Sequence, residues 1–261
     1  MKRFLVDALC TATLVVTLVQ DAQPAAPADG THLLEQSRAR YSTLRSYADT
    51  ATIVTEYRSA PNAPTLIERH RLQTRYRAPR AFFLQFDEDP KAGAERFVIW
   101  CDGGDFQSWW SATGVHEAYD GGRGALAFAL GDQPTRGATV LIAPLLFSQA
   151  QMKGPLTILR NARLEGTESI DGRPAHRISA EAQETYANGY TLQSRAAMVW
   201  LDQQTLLVLK LVLDTPRGTG AGMVDRTTVT FEPRVDPALT DEQFRFAVPG
   251  TALSSATETR R

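Results

Sequence analysis

Cysteine is scarce in this chain. Its 261 residues hold two, Cys10 and Cys101, and Cys10 lies in an N-terminal segment that has the pattern of a removable leader. With one thiol left, an internal disulfide is excluded. Histidine is scarce too: His32, His70, His116 and His176 are the four, and they form no HExxH, HxH or Cys/His cluster, so no zinc site is predicted. There is no GxSxG elbow, no phosphate-cradling glycine loop and no dinucleotide fingerprint. Nor does the spacing of the carboxylates single out a pair for acid–base work. No catalytic residue, metal or cofactor is therefore predicted. The acidic run Asp87-Glu88-Asp89 resembles part of a calcium loop, but it lacks the following glycine and the distal glutamate. Charge of one sign is not in excess either. Lys and Arg number 28 and Asp and Glu 29, a formal net charge of −1, so no global field points to nucleic acid or an anionic membrane.

A long apolar run is missing as well. Met1-Lys2-Arg3 are followed by an apolar stretch over residues 8–19 and then by small residues and prolines over 22–28. This is the order of a secretory signal, with cleavage near Ala22 or at Ala26-Pro27-Ala28. The alternative is an uncleaved anchor, but a bilayer needs about 20 apolar residues and Asp7 interrupts the only extension. Residues 1–28 are thus predicted to be a signal peptide and 29–249 one folded domain. Residues 250–261 are predicted to be a polar, disordered tail. The expected location is periplasmic or otherwise extracytoplasmic, and soluble. Cys101 follows Phe97-Val98-Ile99-Trp100 without a nearby histidine, as a buried small hydrophobe does.

What the chain does have is a rhythm of short β-type runs. Asp29 or Thr31 can cap a helix that reaches about Arg45 and carries Leu33, Leu34, Ser37, Tyr41 and Leu44 on one face. From Tyr47 the period becomes two. Ala51, Ile53 and Tyr57 share one side, while Thr50, Thr52, Glu56 and Arg58 share the other. After a turn over 59–64, a return strand over 65–77 sets Leu66, His70, Leu72 and Tyr76 against Arg69, Arg71, Gln73, Arg75 and Arg77. This arginine stripe is either a solvated face paired with acidic neighbours on the next strand or a contact for phosphates or an acidic partner. Further strands are expected over 81–86, 95–101, 106–111, 115–119, 156–159, 163–170, 175–180, 195–201, 206–214 and 226–232. Asp102-Gly103-Gly104-Asp105 and Asp171-Gly172 mark hairpin turns. Loops are expected over 181–194 and 215–224. Residues 206–213 are apolar on both faces apart from Lys210, as befits a central strand covered on both sides.

The middle differs. Residues 124–130 and 138–152 lack alternation and suit short helices. The stretch 139–147, with Leu141, Ile142, Leu145 and Phe147, is apolar almost all round and must be covered or face a ligand. Few helices are available to cover so broad a sheet. A curved sheet under a loose helical lid leaves a cavity. Ile53, Leu66, Phe82, Leu84, Trp100, Trp200, Leu209, Leu211 and Phe231 are its candidate lining, with Leu141, Ile142, Leu145 and Phe147 as the lid. Burial contributes about 0.8 kcal/mol per methylene, so ten methylenes of an acyl chain contribute about 8 kcal/mol.

Four segments carry a family resemblance. "ARYSTLRSYADTATIVTEYR" is a helix ending in Leu-x-x-Tyr before an alternating strand. "EGTESIDGRPAHRISAE" centres on Asp-Gly, "MVWLDQQTLLVLKLVL" forms the next hairpin, and "DEQFRFAVP" closes with Phe-x-Phe-x-x-Pro. In this order, spanning most of 38–249, they resemble the LolA/LolB-like periplasmic lipoprotein-carrier superfamily. The resemblance implies a mainly β (α+β) fold, an incomplete antiparallel β-barrel with an N-terminal helix and short helices over its concave face. It implies acyl chains of lipid or lipoprotein as the partner, and no catalysis. Residues 121–154 depart from the pattern as a long insertion, no lipidation cysteine is present, and no ligand-gripping arginine aligns. The expected function is thus a non-catalytic carrier. An envelope sensor or scaffold that uses Arg69, Arg71, Arg75 and Arg77 to bind a protein partner is the alternative, with transient membrane contact open to either. A hydrolase with dispersed residues around His176 is a further alternative.

Overall fold

In a computed structural model of the chain, residues 29–58, 64–88, 95–120, 125–131, 138–148, 152–185, 191–216 and 224–250 are described. The predicted signal, most of the first turn, the centres of the two predicted loops and the tail beyond Gly250 lie outside them. The elements run α1 (Gly30–Ser42), β1 (Ser46–Arg58), β2 (Thr65–Arg77), β3 (Ala81–Asp87), β4 (Arg96–Cys101), β5 (Phe106–Trp110), β6 (His116–Tyr119) and α2 (Ala125–Gly131). A 3₁₀ turn (Ala138–Val140) and α3 (Ala143–Leu146) follow. The second half is β7 (Leu159–Ile170), β8 (Arg173–Thr185), β9 (Thr191–Asp202), β10 (Val208–Pro216), β11 (Val224–Phe231), β12 (Arg234–Val235) and a 3₁₀ turn (Asp241–Phe244).

All twelve strands join one antiparallel sheet in the order β6-β5-β4-β3-β2-β1-β11-β10-β9-β8-β7, with β12 on β1. Its outer strands, β6 and β7, do not pair with each other among the described residues, so the sheet is an open half-barrel. Neighbouring strands are consecutive in the chain except where β1 meets β11 and β12. The β1–β11 pairing brings the two halves of the chain together along Ala51↔Phe231 and Ile53↔Val229.

Local chemistry sets the corners. The Asp29 carboxylate accepts a hydrogen bond from the Thr31 N–H at 3.2 Å and caps α1. Helix α1 buries Leu33, Leu34 and Tyr41 against the sheet. A Cβ on Gly30 would fall 2.7 Å from the backbone of Arg163, so glycine permits this close approach to β7. Asp171 and Gly172 both have positive φ, 48° and 79°, as the tight β7–β8 hairpin requires. Asp202 accepts hydrogen bonds from the N–H groups of Gln204 and Thr205 and from Arg173. Burial raises the pKa of its carboxyl, but Thr205 and Arg173 more than offset this and hold it below the usual range.

Three expectations need correction. Residues 156–158 do not form a strand, and β7 starts only at Leu159. Thr157 instead closes a turn onto the Gly154 carbonyl at 2.9 Å, because a short apolar run carries no period of its own. The predicted loop 181–194 is mostly strand: β8 runs on to Thr185, and β9 starts at Thr191. Helix is also sparser than expected over 138–152, with α3 only four residues long.

The two faces are packed differently. On the concave side, α1, α2, the 3₁₀ turn and α3 lie against the aromatic residues of β1–β5 in one apolar cluster. On the convex side the C-terminal segment straps across β3–β5. Phe244 is buried beneath Arg77, and Phe246 sits 5.2 Å from Trp100 and 5.3 Å from Trp109. Asp236 anchors the strap by accepting from the N–H groups of Arg45 and Ser46.

Candidate ligand cavity

Register divides the concave face into layers. Across β2, β1, β11 and β10, one layer holds His70, Ile53, Val229 and Leu211. The next holds Glu68, Thr55, Thr227 and Leu213, and the outermost on β1 and β2 holds Leu66 and Tyr57. Asp225 and Thr215 pair one step further along β11 and β10 than Thr227 and Leu213. On β11 and β10 the inner side chains become polar towards the strand ends, and on β1 the short Thr55 follows Ile53. Here a cavity of about 580 Å³ opens, within the roughly 300–1,000 Å³ of small-molecule sites.

Ile53, Phe86, Leu213 and Val229 form its apolar wall on the sheet. Ala138, Val140, Leu141, Pro155 and Ile158 close it from the other side. This cover is held tightly at one point. Gly154 packs so close to Val140 that a Cβ there would lie 1.9 Å from the Val140 carbonyl oxygen.

The remaining lining is polar. The Thr55 and Thr227 hydroxyls lie 3.3 Å apart. Tyr57 donates to Glu68 at 3.1 Å. The Arg195 guanidinium donates to Glu184 at 2.6 Å, while its Nε is buried with no hydrogen-bond partner. His70 is 7% exposed and stacks on Phe86 with ring centroids 5.1 Å apart. Neither ring nitrogen of His70 has a hydrogen-bond partner, and its nearest acid, Glu68, is 3.8 Å away. The cavity is amphipathic: an apolar flank meets a rim where cations and acids are close to balance.

The sequence candidates scatter across four places. Ile53 and Leu141 line the cavity. Phe82, Leu84, Ile142, Leu145, Leu211 and Phe231 are buried in the concave core, and Phe147 wedges edge-on between Tyr76, Phe82 and Phe106. Much of the predicted lid is therefore a plug in the core. Leu209 and Phe231 also border a separate, more polar groove of about 390 Å³. Trp100, Trp200 and Leu209 belong to the convex face, Trp100 under the strap and Trp200 against Leu209 with Lys210 over its ring. Their strands are apolar on both faces, so alternation alone does not say which face turns inward. Leu66 is 61% exposed on the β1–β2 arm.

Two members of the arginine stripe are engaged by the protein's own strap. Arg75 lies over Phe83 and donates to the Gln243 carbonyl, while Arg77 donates to the Leu239 carbonyl and to Asp241. Arg69 and Arg71 are exposed. His176 lies in register with Leu201 and does not line the cavity. Among the described residues, no group of three or more His, Cys, Asp or Glu could hold a metal ion. Cys101 is buried, and its Sγ lies 3.2 Å from the Gly104 carbonyl. Burial raises its thiol pKa.

Sequence reasoning passed over Phe86, Leu213, Val229, His70 and Arg195. Arg195 left a signal: it continues the inward series Ala197, Val199, Leu201 and so places a charge on an otherwise apolar inner face.

No known family and no curated protein matches the chain. Among solved structures, it is similar to the lipoprotein LppX of Mycobacterium tuberculosis at 15% identity, over 80% of this chain and 98% of that one, with a TM-score of 0.43. A DUF1329 family protein from Desulfovibrio piger is 13% identical over 84% and 98%, with a TM-score of 0.36. A LolA superfamily protein from Nitrosomonas europaea is 13% identical over 84% and 99%, with a TM-score of 0.35. The chain is thus similar to LolA superfamily and lipoprotein structures, but none of these three TM-scores reaches 0.5, and its function is read from the cavity.

Proposed function

We propose that this chain is an exported, non-catalytic carrier or binding protein for lipid or lipoprotein acyl chains. The observation behind the proposal is the cavity of about 580 Å³ at one end of the half-barrel, with Ile53, Phe86, Leu213 and Val229 facing Leu141 and Ile158. An acyl chain entering it exchanges one apolar surrounding for another. Each methylene that leaves water contributes about 0.8 kcal/mol, and the bilayer offers nearly the same. Transfer then runs close to balance, as a carrier requires. The polar rim gives the headgroup hydrogen-bonding partners where the chain meets water.

The test is lipid extraction and mass spectrometry of protein purified from its native membrane fraction, together with uptake of a fluorescent fatty acid. Acyl species at stoichiometric level and saturable uptake are expected. Reproducible absence of both would overturn the reading. Half of the arginine stripe is covered by the strap, which removes much of the motive for a protein-binding scaffold.

A further inference from the structure

We propose that the cavity is a gauge for a single acyl chain: its guest is a one-chain lipid, stopped at the inner end by Ile53, Phe86 and Leu141. This inference rests on the acyl-chain reading and narrows it to one class of ligand. Volume sets the capacity. An apolar cavity of about 150 Å³ holds one benzene, so the 580 Å³ here holds on the order of twenty carbon atoms. That is room for one acyl chain with part of its head, and a second chain does not fit.

The inner end is closed from both sides. On the sheet, the innermost lining layer holds Ile53 and Val229. One layer further in, Ala51, Phe231 and Leu72 are buried and do not line the cavity. On the cover, Leu141 lines it, while Ile142 and Leu145 are buried in the core. Beyond them Phe147 packs against Tyr76, Phe82 and Phe106, with ring centroids 5.1, 5.3 and 6.1 Å apart. Phe86 is held at the inner end by its stack on His70. A chain end that reaches this wall can go further only by displacing close-packed side chains.

The lining also sets direction. Ile53, Phe86 and Leu141 are apolar, whereas Thr215, Asp225 and Arg195 lie further along their strands towards the polar rim. The chain therefore sits with its methyl end against the wall and its head among polar side chains. Hydration then separates one-chain from two-chain lipids. A lipid with two chains, sheltered by one of them, would leave the other in water. Each methylene left there weighs about fourfold against departure from a bilayer, so ten weigh roughly 10⁶-fold. A one-chain lipid carries no such penalty.

The test is a length series. The protein is produced from its full sequence, and saturated fatty acids and lysophosphatidylcholines of increasing length displace a fluorescent fatty acid from it. Affinity is expected to rise about fourfold per methylene and to level off at or below about twenty carbons. Leu141→Ala removes about three carbons from the wall and is expected to move the plateau about as many carbons longer. Ile53→Phe adds about three and is expected to move it about as many shorter. Lost stability alone would weaken all lengths together and move neither plateau. Extraction of diacyl phosphatidylcholine from vesicles is expected to be undetectable. Affinity that climbs without a plateau, a plateau unmoved in the variants, or stoichiometric extraction of the diacyl lipid would overturn the gauge and leave the acyl-chain reading standing. Failure of every one-chain lipid to bind would overturn both.

Discussion

The two ends of the half-barrel interior are built from the same strands but filled differently. At one end Tyr41 and Tyr47 meet at 5.6 Å, and Phe82 packs against Phe106 and Phe147 at 6.4 and 5.3 Å. Tyr41, Tyr47 and Phe82 are fully buried there. At the other end the inner positions of β1 and β11 are Thr55 and Thr227, whose short side chains leave the cavity. The filled end also buries a carboxylate. Tyr47 donates to Asp49 at 2.7 Å, and burial pushes the Asp49 pKa up to about 6. The Val208 N–H donates to the Tyr41 hydroxyl at 3.2 Å, tying α1 to β10. Burial raises the pKa of both tyrosines above the phenolic range. The lesson is that emptiness in this fold is local: one end carries the stability and the other is free to hold a guest.

Phe82→Ala should break the filled end. Loss of a buried aromatic from a close-packed core costs about 3–5 kcal/mol, measurable by urea unfolding. A cost below about 1 kcal/mol would show this end to be slack too, and the contrast would vanish.

Asp49 sharpens the contrast through pH. Its folded pKa, about 6, stands above the 3.8 of the free group, so in this window the unfolded chain binds fewer protons. Stability should therefore fall as pH rises from about 4 to about 6 and stay lower above it. The difference is on the order of 3 kcal/mol for a shift of about two units. Asp49→Asn should remove this slope and stabilise the protein at pH 7, as followed by thermal unfolding across pH. A slope unchanged in the variant would locate the titration elsewhere.

Thr227→Phe fills the cavity rather than emptying the core. Room is available, so stability should change by less than about 1.5 kcal/mol. Affinity for a fluorescent fatty acid should fall about tenfold or more, equivalent to about 1.4 kcal/mol. Unchanged uptake would mean that the ligand sits elsewhere. The smallest effect is expected from Arg226→Gln. Its bidentate pair with Asp214, at 2.7 and 2.8 Å, is largely exposed. Such pairs contribute under about 1 kcal/mol, so a larger loss would show charge as well as packing at work near the rim.

Much of the fold was legible in the chain because alternation is a local property. The bounds of β2 and the turn at Asp171-Gly172 follow from period and turn chemistry that involve only near neighbours. The inward-facing halves of β1 and β2 are legible for the same reason. The cavity was harder to find. Trp100 and Leu209 look like lining residues by composition, yet they face outward, one covered by a strap about 145 residues away in sequence and the other by Trp200. Phe86 and Val229 look unremarkable on their own strands and line one cavity only because β2 and β1 set β3 and β11 in one sheet.

The amino-acid order alone determined the strand rhythm, the hairpin corners and the apolar segment around Leu141, since each depends on residues a few positions apart. Only the tertiary structure decided which apolar side chains fill the interior and which leave it empty. That depends on summed side-chain volume across strands far apart in the chain. The pairing of β1 with β11 brings Thr55 to Thr227, and two short side chains face each other where a filled core would place an aromatic one.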